Sequence, residues 1–129
     1  MNAQEIFDTV VTHLLTQGVR SANGDICLYR GPNGTSCAVG CLIPDEMYEP
    51  EMDTGYSAIS LIYSDRFKLP EYFNSDNTKL LSRLQGFHDG IDEDVIVYND
   101  KNRATIKKIA RDSGVVFDES KFERFRNND

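Results

Sequence analysis

The strongest hydrophobic pattern in the chain lies close to its start. Apolar residues recur there at the period of an α-helix and cover about half of its circumference. They are Ile6, Phe7, Val10, Val11, Leu14 and Leu15. Gly18 follows at a position suited to a C-terminal cap. The pattern therefore predicts an amphipathic first helix that ends at this glycine.

Three later segments also predict helices. Residues 57–63 form a short apolar run, and a longer pattern starts at Asn77 and ends at Gly90. The buried stripe of this longer pattern consists of Leu80, Leu81, Leu84, Phe87 and His88. A last helix is predicted over residues 101–113, where apolar residues again recur at helical spacing.

The region after the first helix is less regular. Residues 25–30 are strand-like, and the Gly, Pro and Asn residues of 31–34 predict a turn. We predict a helix over residues 37–43, because its small residues and i,i+4 pairs suit a tightly packed helix. The alternative is a second hairpin strand over residues 36–43. Residues 94–98 are expected to form an edge strand or an extended loop.

These elements predict an α+β fold that is mostly α. Four to five amphipathic helices would pack around one core, together with a small β-hairpin or short strands. A length of 129 residues fits one domain, and a hydrophobic fraction of 40% supplies its core. We expect a single globular domain over residues 1–125 and a disordered tail over residues 126–129.

The composition indicates a cytoplasmic protein. No stretch approaches the ~18 apolar residues of a membrane span. Residues 1–5 lack the basic and apolar regions that begin a secretory signal. Three cysteines are an odd number and too few for a disulfide scaffold, so reduced thiols are expected.

The net charge of -7 is unevenly distributed along the chain. Residues 44–76 contain eight acids against two bases, whereas residues 101–129 contain eight bases and five acids. An acidic surface repels nucleic acid and favours a basic protein partner, although the same charge also serves solubility. The acids that we expect to contact such a partner lie in one loop: Asp45, Glu46, Glu49, Glu51 and Asp53.

A zinc site is one alternative function. Thiolates and imidazole are the ligands that zinc prefers, and Cys27, Cys37, Cys41 and His88 could supply them. The spacing argues against this site, because structural zinc sites usually contain a Cys-x-x-Cys pair and this chain has Cys37-x-x-x-Cys41. Burial as small core residues explains all three cysteines and is the favoured interpretation. No cofactor is therefore expected, with zinc as the alternative.

A small thiol hydrolase is the other alternative. Cys37 would lie in the first turn of a helix, where the helix dipole lowers the pKa of a thiol. His88 would act as the base and Asp89 as its orienting carboxylate. Two features oppose this assignment: His88 lies in the middle of an apolar stripe, and Asp89 follows it directly, so that its carboxylate is expected to point elsewhere.

Two sequence blocks resemble those of a known group of proteins. Residues 27–45 read CxYRGPxGxxCAxGCLIPD and residues 84–89 read LQxxHD. With Tyr48, they resemble small uncharacterised proteins of bacteriophages and bacteria. The resemblance implies a phage-type accessory protein that modulates a host or defence protein in the host cytoplasm. It implies no catalytic residue.

The leading hypothesis from the sequence is a non-enzymatic acidic binding protein. Its partner would be a protein with a basic surface, reached through the acidic loop at residues 45–53. Complementary charge would mainly accelerate this association and select the partner. Nucleic acid and membranes are not expected as partners.

Overall fold

The first helix confirms the hydrophobic pattern from which it was predicted. In the computed structural model, which describes residues 1–92 and 94–126, α1 covers Ala3–Gln17. The Asn2 side chain accepts a hydrogen bond from the Glu5 amide at 2.8 Å, and the Glu5 carboxylate accepts one from the Asn2 amide at 2.9 Å. This reciprocal pair satisfies two amides that the first turn leaves free. Gly18 ends the helix in the left-handed conformation at φ 72°.

A hairpin of two very short strands follows α1. Strand β1 is Ala22–Asn23 and strand β2 is Ile26–Cys27, and they pair antiparallel. The strand predicted over residues 25–30 is therefore much shorter than expected. Its later part leaves the hairpin because the amides of Tyr29 and Arg30 donate to the Asp53 carboxylate at 2.7 and 3.2 Å instead.

The helix predicted over residues 37–43 is wrong, and so is the alternative of a hairpin strand over residues 36–43. The segment forms a turn followed by a single turn of 3-10 helix at Gly40–Leu42. Side chains from distant elements take up its amides. The Ser36 amide donates to Gln17 Oε1 and the Val39 amide to Gln85 Oε1, each at 2.9 Å.

Gly40 allows this segment to cross the chain beside the hairpin. A Cβ atom placed on Gly40 would overlap the backbone of Tyr29. Arg30 fixes the crossing further, since its guanidinium donates to the carbonyl oxygens of Gly40 and Ile43 at 2.6 Å each. The two segments therefore touch backbone to backbone.

The other predicted helices are confirmed. Helix α2 covers Ala58–Tyr63 and begins at Ser57, whose hydroxyl accepts from the Ser60 amide. Helix α3 covers Thr78–Asp89, and helix α4 covers Asp100–Ser113. Helix α3 packs against α1, α2 and α4, so it occupies the centre of the fold.

The core combines the apolar stripes of the helices with the C-terminal segment. Phe122 is fully buried and stacks on Phe117 at 5.8 Å between ring centroids. Phe117 in turn meets Phe7 of α1 edge to face at 6.4 Å. The segment after α4 therefore covers α1 and completes the core.

Residues 94–98 are extended rather than a regular strand. Val95 pairs with Val19 in an isolated antiparallel bridge, and Tyr98 pairs with Arg126 in a parallel one. With four α-helices and one two-stranded sheet in the described chain, the fold is α+β and mostly α, as predicted. Residues 127–129 of the predicted tail lie outside the described residues.

Candidate functional site

A buried histidine connects the hairpin to α3. The His88 side chain is 0% exposed, and its Nε2 accepts a hydrogen bond from the Ser21 amide at 3.0 Å. A backbone N–H can only donate, so Nε2 carries no proton and the neutral ring carries its proton on Nδ1. Nδ1 then donates to Asp89 Oδ1 at 2.9 Å. The expectation that the Asp89 carboxylate points away from His88 is therefore wrong.

Asp89 is held in place by a second donor. Gln85 Nε2 donates to Asp89 Oδ1 at 2.8 Å, and the orientation of this amide is fixed because its Oε1 accepts from Val39. Burial opposes ionisation of Asp89, but hydrogen bonds from His88, Gln85 and Cys27 outweigh it and hold the pKa of Asp89 below its ordinary value. The carboxylate is therefore ionised at neutral pH.

The charge of Asp89 has no cationic partner among the described residues. Its side chain is 45% exposed, and within the described chain no lysine or arginine forms an ion pair with it. The neutral His88 orients the carboxylate without compensating its charge. Asp89 thus presents an ordered, unbalanced negative charge to solvent.

This carboxylate lies at a cleft of about 290 Å³ beside α2 and α3. Ser82, Gln85 and Asp89 line it from one face of α3, since they stand at positions i, i+3 and i+7. Tyr56 and Ile59 line it from the α2 side. The cleft therefore has one polar wall and one largely apolar wall.

Two further features describe the walls of the cleft. Tyr29 donates its hydroxyl to the Tyr56 carbonyl at 2.6 Å and so holds the segment that leads into α2. The Ser82 hydroxyl oxygen has no hydrogen-bond partner in the described chain, but it is fully buried, so a molecule in the cleft cannot reach it without a local rearrangement.

Two thiols, Cys27 and Cys37, also line the cleft. Burial raises the pKa of Cys37 to about 12, and Cys37 is only 1% exposed. Burial, together with a hydrogen bond to Asp89, raises the pKa of Cys27 to about 11. Both groups are therefore thiols rather than thiolates at neutral pH.

The structure does not assemble the predicted Cys37–His88–Asp89 hydrolase. Cys37 Sγ accepts from the Gly40 amide at 3.3 Å, and it lies in a turn rather than in the first turn of a helix. The nitrogens of His88 bond to Ser21 and Asp89. The thiol therefore lacks both the helix dipole and the free base that the hypothesis requires.

The predicted zinc ligands are divided. Cys27 and His88 lie together with Asp89, and their potential ligand atoms fall within 4.8 Å of one another. Cys37 and Cys41 are outside this group; Cys41 Sγ donates to the Ala38 carbonyl at 3.1 Å. The Nδ1 proton of His88 points at Asp89, so a metal bound at Nδ1 would have to displace it while the Ser21 amide still occupies Nε2.

The acidic loop at residues 45–53 uses one of its five acids to hold the fold. Asp53 accepts hydrogen bonds from the amides of Tyr29 and Arg30, and from the Tyr48 hydroxyl at 2.6 Å. These bonds tie the loop to the segment that follows the hairpin. Asp53 is partly buried and is therefore not an exposed contact residue, in contrast to the prediction.

Most of the remaining loop acids face arginines of the same chain. Glu49 and Glu51 both pair with Arg66, at 3.2 and 2.6 Å, and Asp45 pairs with Arg30 at 3.1 Å. Glu46 is exposed and forms no ion pair in the described chain. The loop therefore presents less free charge than its sequence indicates.

Sequence reasoning missed most of the cleft. The i, i+3, i+7 spacing of Ser82, Gln85 and Asp89 was available as a signal, because it places three polar residues on one face of a predicted helix. No local pattern indicated that the hairpin would donate an amide to His88. No pattern placed α2 opposite this face either.

The chain was compared with protein-family models, curated proteins and solved structures, and it matches none of them. None of the helices in residues 1–92 and 94–126 has the length and hydropathy needed to cross a bilayer.

Proposed function

We propose that this chain is a non-enzymatic binding protein that holds a cationic group of its partner in the cleft at Asp89. The observation that carries the proposal is the state of this carboxylate. It is fixed by two hydrogen bonds, ionised, half-exposed, and without an arginine or lysine partner in the described chain. Such a group gains a favourable partner when a cation enters.

The lining of the cleft supports a cation over other ligands. Among the described residues, no lysine or arginine lines it, which disfavours phosphates, nucleotides and nucleic acid. The thiols that line it are neutral, and the rings of Tyr29 and Tyr56 attract a cation of any type through their electron-rich faces. The volume of about 290 Å³ is slightly smaller than the ~300–1,000 Å³ of typical ligand pockets, so a side chain fits better than a large cofactor.

A protein partner with a basic surface remains the proposed ligand. The net charge of -7 would steer such a partner toward this chain. The exposed carboxylates of Glu46 and Asp45, which do not line the cleft, would add only to this long-range attraction. The proposed setting, a phage-type modulator acting on a host or defence protein in the cytoplasm, rests on the sequence resemblance alone.

Titration of the 15N-labelled protein with short peptides tests the proposal. Three pentapeptides with blocked ends would differ only in a central lysine, arginine or glutamate. We expect the two basic peptides to shift the amide signals of Ser82, Gln85 and Asp89, and the acidic peptide to leave them unchanged. Added salt should weaken the binding of the basic peptides.

Asp89→Asn is the decisive variant for this experiment. Asparagine can still accept the hydrogen bonds from His88 and Gln85, so the fold should persist while the charge is lost. Binding of both basic peptides should fall by about tenfold or more. Glu46→Gln removes one exposed acid away from the cleft and serves as the matched control. Equal effects of the two variants would refute the proposal.

Zinc stays an untested alternative: Cys27 and His88, two of the four predicted ligands, lie together with Asp89. Metal analysis of the purified protein tests it separately. Stoichiometric zinc that is lost in Cys27→Ser would establish the metal site and would remove Asp89 from the role proposed here.

A further inference from the structure

The hydrogen bonds at Asp89 restrict which cation can bind. The bonds from His88 Nδ1 and Gln85 Nε2 end on the same oxygen, Oδ1, at 2.9 and 2.8 Å. A carboxylate offers about four acceptor positions, two on each oxygen. Oδ1 is therefore fully occupied within the protein. Even with the Cys27 thiol as a further donor, Oδ2 keeps at least one free position.

This arrangement disfavours a guanidinium. Arginine binds a carboxylate best through two parallel hydrogen bonds, one to each oxygen. At Asp89 one of these two positions is already filled by His88 and Gln85. An ammonium group makes a point contact instead, and a single oxygen satisfies it.

The shape of the cleft suits the chain that carries an ammonium group. Ser82 and Asp89 are seven residues apart on α3, which corresponds to about 10 Å along the helix axis. Gly86 lies between them and adds no side chain to the cleft lining. Tyr56 and Ile59 line the opposite side, and Ile59 is 49% exposed. An aliphatic chain can lie along this groove against apolar surface.

We infer that the cleft selects a primary ammonium at the end of an unbranched aliphatic chain, the chemistry of a lysine side chain, over a guanidinium. This inference rests on the proposed function, because it assumes that Asp89 is the cation site. Two sources share the chemistry: a lysine within a protein and a free alkylamine or diamine.

The peptide titration separates the possibilities. We expect the lysine peptide to bind at least about fivefold more tightly than the arginine peptide, since the guanidinium loses one of its two bonds. A peptide with trimethyllysine keeps the charge but lacks N–H donors, and it should bind no better than the arginine peptide. n-Butylammonium and 1,5-diaminopentane test the free-amine source; binding as tight as that of the lysine peptide would assign the site to small amines.

A variant that frees Oδ1 sharpens the test. Gln85→Met removes the Nε2 donor, and it should raise the affinity for the arginine peptide relative to the lysine peptide by several-fold. It also removes the acceptor of the Val39 amide, so its folding must first be verified by thermal unfolding. If it does not fold, the comparison of the two peptides on the unmodified protein decides alone.

The outcomes distinguish this inference from the proposed function. Equal or tighter binding of the arginine peptide, still lost in Asp89→Asn, would overturn the ammonium preference and leave the cation site intact. Binding of neither peptide, or binding that Asp89→Asn does not change, would overturn both.

Discussion

The acidic loop at residues 45–53 and the cleft at Asp89 use carboxylates in opposite ways. The loop contains five acids, yet four of them bond to backbone amides, a tyrosine or arginines of the same chain. The cleft contains one acid, and its supporting partners are neutral groups that fix its position without compensating its charge. The number of acids in a stretch of sequence therefore does not determine how much negative charge is available to a binding partner. That charge depends on which groups of the same chain already bond to each carboxylate.

The largest effect that we predict concerns Asp53. Asp53→Ala leaves the amides of Tyr29 and Arg30 and the Tyr48 hydroxyl without their acceptor. Each donor that loses its acceptor costs about 1–3 kcal/mol, and the lower value applies here because all three are only partly buried. We therefore expect a total loss of about 3 kcal/mol in the free energy of unfolding, measured in urea. Glu46→Gln should change it by less than about 0.5 kcal/mol. A similar small change for both variants would contradict the structural role of Asp53.

The next effect concerns the support of the cleft. His88→Leu keeps an apolar side chain of similar size but leaves the buried Ser21 amide without an acceptor. We expect the free energy of unfolding to fall by about 2 kcal/mol, which is the cost of a buried donor without an acceptor. Hydrogen exchange measures the loss of this bond locally. The Ser21 amide should exchange faster than in the unmodified protein. The Leu28 amide, which bonds to the Ser21 carbonyl, should keep more of its protection. Unchanged exchange at Ser21 would refute the assigned tautomer.

Asp89 itself should contribute less to stability, and only above a certain pH. Its pKa is lower in the folded protein than its ordinary value of 3.8, so ionisation favours the fold above that value. The contribution is lost as the pH falls through the lowered pKa. We expect Asp89→Asn to cost less than about 1 kcal/mol at neutral pH, because a half-exposed carboxylate keeps much of its hydration. The difference between the two proteins should shrink below about pH 4. A difference that instead grew toward acid would contradict the direction of this pKa shift.

The smallest effect should come from the paired acids of the loop. Glu51→Gln removes one of the two carboxylates that bond to Arg66 on the surface. We expect a change of about 0.5 kcal/mol or less, and this change should decrease in high salt. Peptide binding at the cleft should remain the same, in contrast to Asp89→Asn. Loss of binding in Glu51→Gln would move the recognition surface back to the loop.

The sequence predicted the parts of the fold that local pattern determines. Helix α1 has a complete apolar stripe, a capping residue at Asn2 and a terminating glycine, and all of these act within one stretch of chain. Residues 37–43 have helical spacing as well, but the Val39 amide bonds to Gln85, and the amide of the preceding Ser36 bonds to Gln17; both partners lie far away in sequence. Tertiary partners therefore overrode a local preference there.

The candidate site was predicted only in part for the same reason. His88 and Asp89 were identified by residue type, but their roles depend on a hydrogen bond from Ser21, 67 residues earlier in the chain. The sequence thus provided the chemical groups, and the packing of the hairpin on α3 determined what they can do.

The backbone contact at Gly40 has a consequence for any attempt to evolve this protein. A library covering every amino acid at position 40 should return only the original residue, since even alanine would push against the Tyr29 main chain. That main chain carries the amide bonded by Asp53, and its side chain lines the cleft. A substitution at position 40 would therefore disturb both the acidic loop and the cleft. A selection for altered specificity should vary the residues that line the cleft and keep Gly40 unchanged.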